Sequence, residues 1–154
     1  MHLKKSASFV AATVLATCLA AAPLSSVAAD DKGAAKQVKV AKNKLVIQVS
    51  DADPKIWALA LNNAENVQED LGKENVEIEI VAYGPGLAML KLESEVGGRV
   101  VSALEEGVKV VACENTMRKQ KLTKDDMLPN LGYAKAGVVE LMTKQEEGYA
   151  YIRP

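Results

Sequence analysis

Histidine is almost missing from this 154-residue chain: the one copy is His2, inside a stretch that reads as a cleavable export signal. Without it no Ser-His or Cys-His pair and no histidine-ligated zinc can be assembled from the chain's own residues, so acid-base work falls to carboxylates, lysines and tyrosines. Cysteine is nearly as scarce. Of the two copies, Cys18 and Cys113, the first lies in the same signal, so the processed chain holds one thiol and no internal disulfide. Phosphate-binding signatures are missing as well: no G-x-G-x-x-G follows the first strand-like run, no G-x-x-x-x-G-K-[ST] occurs, and Gly84-Pro85-Gly86 is too short a loop to serve as either. There is no basic excess. Two of the 19 basic residues, Lys4 and Lys5, leave with the signal, so 17 face 20 acidic ones for a net charge of −3, which argues against nucleic acid as a partner. Nothing in the pattern calls for a cofactor or a metal.

The signal itself has three parts. Lys4 and Lys5 supply positive charge, Phe9 to Leu24 is largely apolar, and Ser26-Val27-Ala28-Ala29 offers small residues for cleavage after Ala28 or Ala29. The apolar run is short and alanine-rich for a membrane span of about 20 residues, so the processed chain should be periplasmic or secreted, without a membrane anchor. Leu15-Ala16-Thr17-Cys18 is a poor lipidation site because threonine is bulky for the position before the cysteine. Three segments follow: a signal over 1–29, a charged flexible linker over 30–43 with lysines among Ala, Val and Gln, and one domain over 44–154.

Within 44–154 strand-like and helix-like patterns alternate. Leu45-Val46-Ile47-Gln48-Val49 is an apolar run without polar alternation, which suits a central strand covered on both faces. Asp53-Pro54 reads as a helix cap and first turn, with Ile56, Ala60, Ala64 or Asn63, Val67 and Leu71 on one face and a stop at Gly72. In Val76–Ala82, Glu77 and Glu79 alternate with Ile78 and Ile80, the pattern of a strand nearer an edge. Leu87 to Leu92 reads as a short helical piece, Val96 to Leu104 as a longer helix, and Val108 to Ala112 as a third strand. Asn115 or Thr116 could cap the turn after it, and Thr123 with Asp126 forms a capping box. Gly132–Ala136 is a weak fourth strand, Val138, Leu141 and Met142 mark the last helix, and Tyr149 to Ile152 is the final strand. The alternation predicts an α/β fold, a three-layer α/β/α sandwich around a mainly parallel sheet of about five strands.

In such sheets ligands meet the carboxyl ends of the strands, which directs attention to the loops Ser50–Asp53, Tyr83–Gly86 and Cys113–Thr116. Cys113 has two readings, a reactive thiol beside a helix start and a small apolar residue closing a strand. Candidate binding residues around it are Asp51, Asp53, Tyr83, Gly84, Gly86, Asn115, Thr116 and Arg118. Asp53 is also explained by capping and Tyr83–Gly86 by turn chemistry. A helix start and the positive charge of Arg118 and Lys119 favour the thiolate, whereas Glu114 opposes it.

Gly107-Val108-Lys109-Val110-Val111-Ala112-Cys113-Glu114-Asn115-Thr116, then Leu122-Thr123-Lys124-Asp125-Asp126-Met127-Leu128-Pro129, and the ending from Ala136 to Pro154 together resemble the DsrE/DsrF-like family. Val81-Ala82-Tyr83-Gly84-Pro85-Gly86-Leu87 resembles its second-strand turn. The chain is most similar to exported single-domain members, where glycine is usual at the positions of Glu114 and Lys121. A lysine held in left-handed backbone at 121 would cost about 1 kcal/mol. The resemblance implies a sulfur-relay role, with Cys113 as catalytic group at the position that carries persulfide sulfur in cytoplasmic relatives. It also implies a homo-oligomer or a sulfur-transfer protein partner, and Leu87, Met89, Leu90 and Leu92 suggest a contact patch. Two further readings stay open: a non-catalytic small-ligand-binding or assembly module, and a redox-responsive thiol.

Overall fold

The structure, a computed structural model, describes residues 43–154; the expected signal and all of the expected linker but Asn43 lie outside the described residues. Five strands, β1 (Asn43–Val49), β2 (Val76–Ala82), β3 (Lys109–Cys113), β4 (Gly132–Ala134) and β5 (Ala150–Ile152), form one sheet in the order β4-β3-β2-β1-β5. Every pairing is parallel, so each connection crosses over the sheet, and the right-handed rule for crossovers decides which face it takes. From β1 to β4 the chain advances in one direction, which puts α1 (Pro54–Leu71), α2 (Gly97–Glu105) and α3 (Glu114–Gln120) on one face. The step from β4 to β5 reverses direction and lays α4 (Gly137–Glu146) on the other. This is the expected three-layer sandwich.

The two faces are built differently. Leu45, Ile47, Ile78, Ile80 and Val110 meet Trp57, Leu61 and Val100 in a large apolar core. Against α4 the apolar set is small: Val46, Val81, Val111, Ala134, Leu141 and Tyr149. Helix α1 starts and stops where the sequence indicates. The Asp53 carboxylate accepts from the Lys55 amide at 2.9 Å, and Gly72 ends the helix at φ 82°, a conformation that favours glycine.

Four expectations are corrected. Strand β2 is central and not near an edge, because Glu79, only 2 % exposed, is buried under α4 beside Lys144 and does not face water. The buried face of α1 is Trp57, Ala60, Leu61, Ala64 and Gln68, while Leu71 is exposed; the larger Trp57 and Leu61 fill the core, and the buried Gln68 side chain donates to the Glu106 carbonyl at 3.0 Å. Leu87, Met89 and Leu90 are fully buried in a 3-10 segment, Gly84–Leu90, packed between the sheet and α2, so they are core and not a contact patch; Leu92 alone is exposed. On α4, Leu141 faces the sheet, but Val138, Val139 and Met142 are each more than half exposed.

Candidate functional site

Direction reversal in the chain also creates the site. The connection after β3 leaves toward one face and the connection after β4 toward the other, so the carboxyl ends of these adjacent strands flank a crevice where the two paths diverge. Cys113 ends β3 and pairs with Ala134 of β4, and the Asn115 amide bridges the loops by donating to the Lys135 carbonyl at 3.1 Å. A cleft of about 390 Å3 opens here, lined by Asn115, Ala134, Lys135, Ala136, Val139 and Glu140. Another hollow, of about 440 Å3, lies at the opposite end of the sheet and has no thiol or carboxylate in its lining. Cys113, the single free thiol among the described residues, stands at the β3–β4 end.

Cys113 is 4 % exposed, with its side chain on the α4 face. Its sulfur accepts a hydrogen bond from the Gly137 amide, the first residue of α4, at 3.2 Å. Cys113 is itself the residue before α3, so two helix starts converge on one sulfur. Burial pushes the thiol pKa up, but the Thr116 hydroxyl and the amides of Gly137, Thr116 and Asn115 together pull it further down, so the net shift is below the ordinary thiol value. The Thr116 hydroxyl accepts from the Gly84 amide at 3.0 Å, which leaves its own proton free for the sulfur. Hydrogen bonds, and not the charges of Arg118 or Glu114, are the leading stabilisers of the thiolate.

Close packing explains the glycines. A Cβ on Gly137 would stand 3.0 Å from the Tyr83 Cβ and 3.3 Å from the Cys113 Cβ, so a side chain there would push the α4 amide back from the sulfur by a few tenths of an ångström. A Cβ on Gly86 would overlap the Val49 carbonyl, which fixes the β2 turn against the end of β1. Gly84 has φ 55°, and its carbonyl accepts from the Gln120 side chain at 3.3 Å, tying that turn to α3.

Of the sequence-derived candidates, Tyr83, Gly84, Asn115 and Thr116 are brought to Cys113, and Gly86 supports their turn. Asp51 and Asp53 are not. Asp51 accepts from the Asp53 amide at 3.1 Å and, through its carbonyl, from the Trp57 indole at 2.7 Å; both aspartates belong to the start of α1, and no hydrogen bond links them to the Cys113 loop. Arg118 is exposed and donates to the Asn115 side chain at 2.7 Å, and neither Asn115 nor Thr116 caps α3 through its side chain. Sequence reasoning missed Gly137. The signal was there, since Ala136-Gly137 follows the fourth strand as Cys113-Glu114 follows the third.

Among the described residues no group of three or more His, Cys, Asp and Glu side chains could hold a metal ion, and no helix is long and apolar enough to cross a membrane.

Comparison with known proteins matches residues 43–154 to the DsrE/DsrF-like family. A solved structure of a protein of unknown function from Methanobacterium thermoautotrophicum is 35% identical, covers 73% of this chain and 99% of its own, and superposes with a TM-score of 0.70. A conserved protein of unknown function from Bacteroides thetaiotaomicron shares the fold at 12% identity, with a TM-score of 0.59 over 73% of this chain and 95% of its own. Comparison with curated proteins gives no match.

Proposed function

The chain belongs to the DsrE/DsrF-like family, and from that premise we propose that it is an exported sulfur-handling protein in which Cys113 carries a sulfane sulfur between a donor and an acceptor. The observation that carries this reading is the Gly137 amide on the Cys113 sulfur at 3.2 Å, beside an open cleft. In loading, the Cys113 thiolate attacks the outer sulfur of a donor persulfide R–S–SH. The new S–S bond forms as the donor S–S bond breaks, R–S⁻ leaves with the electron pair, and Cys113 becomes Cys–S–SH with no net oxidation. In unloading, an acceptor thiolate takes the outer sulfur and Cys113 leaves as thiolate. A lowered thiol pKa serves both steps, by populating the nucleophile and by improving the leaving group.

The donors around the sulfur suit each state of that cycle. They hold negative charge on Sγ before loading, and the cleft next to Val139 and Lys135 gives the added sulfur room. Incubation of the folded protein with a small-molecule persulfide, followed by intact-mass measurement, tests the reading. One added sulfur atom on Cys113, missing in Cys113→Ser, is expected.

A second reading has one observation in its favour: at 4 % exposure Cys113 could line the cleft of a small-ligand or assembly module without reacting. Under that reading the folded protein takes no sulfur, and Cys113→Ser leaves ligand or partner binding in place.

A further inference from the structure

Helix α4 delivers the amide that holds the Cys113 sulfur, yet it has little apolar grip on the sheet. Its buried residues are Gly137 and Leu141, and Val138, Val139 and Met142 turn outward. What else seats it is polar. The Lys144 ammonium lies 3.6 Å from Glu79 of β2, 3.7 Å from Glu140 and 3.1 Å from Glu147. Glu79 is 2 % exposed, and its Oε1 has no hydrogen-bond donor facing it.

We propose that Glu79 is a positioning residue for Cys113, acting through its contacts with Glu140 and Lys144 of α4. This rests on the reading of Cys113 as a sulfur nucleophile. Glu140 stands one turn from Gly137 on the same helix and also lines the cleft, so a force on Glu140 is a force on the amide that donates to the sulfur. Lys144 holds Glu79 and Glu140 on one ammonium, 3.6 Å from the first and 3.7 Å from the second. A proton on either carboxyl lets the pair share a hydrogen bond, and the buried Glu79 Oε1 is free to take part in it.

The surroundings favour that proton. Facing Glu79 are Glu140 and Lys144 from α4, Lys109 from β3, Glu77 from its own strand and Tyr149 ahead of β5, with Glu147 on Lys144 and Lys44 over the Tyr149 ring; the β1 residue paired with it, Val46, carries no charge. Four carboxylates, Glu77, Glu79, Glu140 and Glu147, thus meet three lysines, and one proton balances the set. Burial is the largest influence on Glu79 and raises its pKa, Lys144 lowers it, and Glu140 raises it again, to about 7. Below that pH the shared proton joins β2 to α4. Above it the buried charge of Glu79 repels the half-buried Glu140 and pushes it, and the first turn of α4 with it, away from the sheet.

The test is the pH profile of Cys113 alkylation by iodoacetamide in the full processed protein, with the thiolate fraction at each pH read in parallel from ultraviolet absorbance. Glu79→Gln, which mimics the protonated carboxyl permanently, should react severalfold faster than wild type at pH 8 and equally at pH 5.5. Glu140→Gln, at a less buried site, should reproduce the effect, and the double variant should add nothing to either. Identical profiles in wild type and both variants, with Cys113 reactive in all three, overturn the positioning role and leave the carrier reading intact. Inertness of Cys113 in every folded protein overturns both.

Discussion

The Gly137 amide and the Cys113 sulfur, 24 residues apart in sequence, are joined by a 3.2 Å hydrogen bond that connects the start of one outer helix to the end of a central strand. A substitution that separates the two backbones without touching the thiol should therefore change its chemistry. In Gly137→Ala the new methyl meets Tyr83 and the Cys113 Cβ, and α4 must retreat by a few tenths of an ångström. The expected result is a thiol pKa higher by roughly half to one unit, equivalent to ~0.7–1.4 kcal/mol, and slower alkylation at pH 7. Absorbance titration of the thiolate measures it. An unchanged titration would remove the helix amide from the account of the thiol.

Stability should depend on pH through Glu79. Its folded pKa, about 7, lies above the ordinary 4.5, so the folded state retains a proton that the unfolded chain has lost between those values. The stabilising contribution is complete below pH 4.5, falls as pH rises toward 7, and is gone above it. At ~1.4 kcal/mol per unit the span is at most on the order of 3 kcal/mol. Chemical denaturation at pH 5 and pH 8 checks this: Glu79→Gln should flatten the slope and be the more stable protein at pH 8.

Lys121 stands at φ 59° and ψ 33°, left-handed backbone at the end of α3. The strain expected from the sequence is present. Lys121→Gly should raise stability by about 0.5–1 kcal/mol, since glycine relieves the strain but loses more chain entropy on folding. A lower thermal midpoint for the variant would count against the assignment of strain there.

Gly86 needs no positive φ, but its Cα faces the Val49 carbonyl with no room for a side chain. Gly86→Ala should cost ~2 kcal/mol or more, by forcing the β2 turn away from β1. Because that turn presents Gly84 to Thr116, thiol reactivity should fall with stability. Urea unfolding and alkylation of the same variant read both effects.

What the sequence made legible follows burial by apolar residues. Leu45–Val49 reads as central because no polar residue but Gln48 interrupts it, and the Asp53 cap and Gly72 stop depend on neighbours in the chain. β2 was misplaced because Glu77 and Glu79 look like solvent-facing positions, and only the fold brings Lys109 and Lys144 to them. The Leu87–Leu90 segment looked too apolar for one helix face, but as a 3-10 piece between sheet and α2 it buries Leu87, Met89 and Leu90 together. At the site, Cys113, Thr116 and the Tyr83 turn were accessible from strand-end logic. Gly137 was not, since its role depends on a three-residue β4 aligning with β3 and on α4 crossing to the opposite face.

The most direct measurement is peptide mass spectrometry of the protein purified from its own cells without reductant, read at Cys113. A persulfide, one sulfur atom heavier than the thiol and discharged by added acceptor thiol, is the expected result. A plain thiol in the native protein, inert to persulfide until the chain is unfolded, would contradict the carrier role and leave Cys113 as a residue that closes a strand.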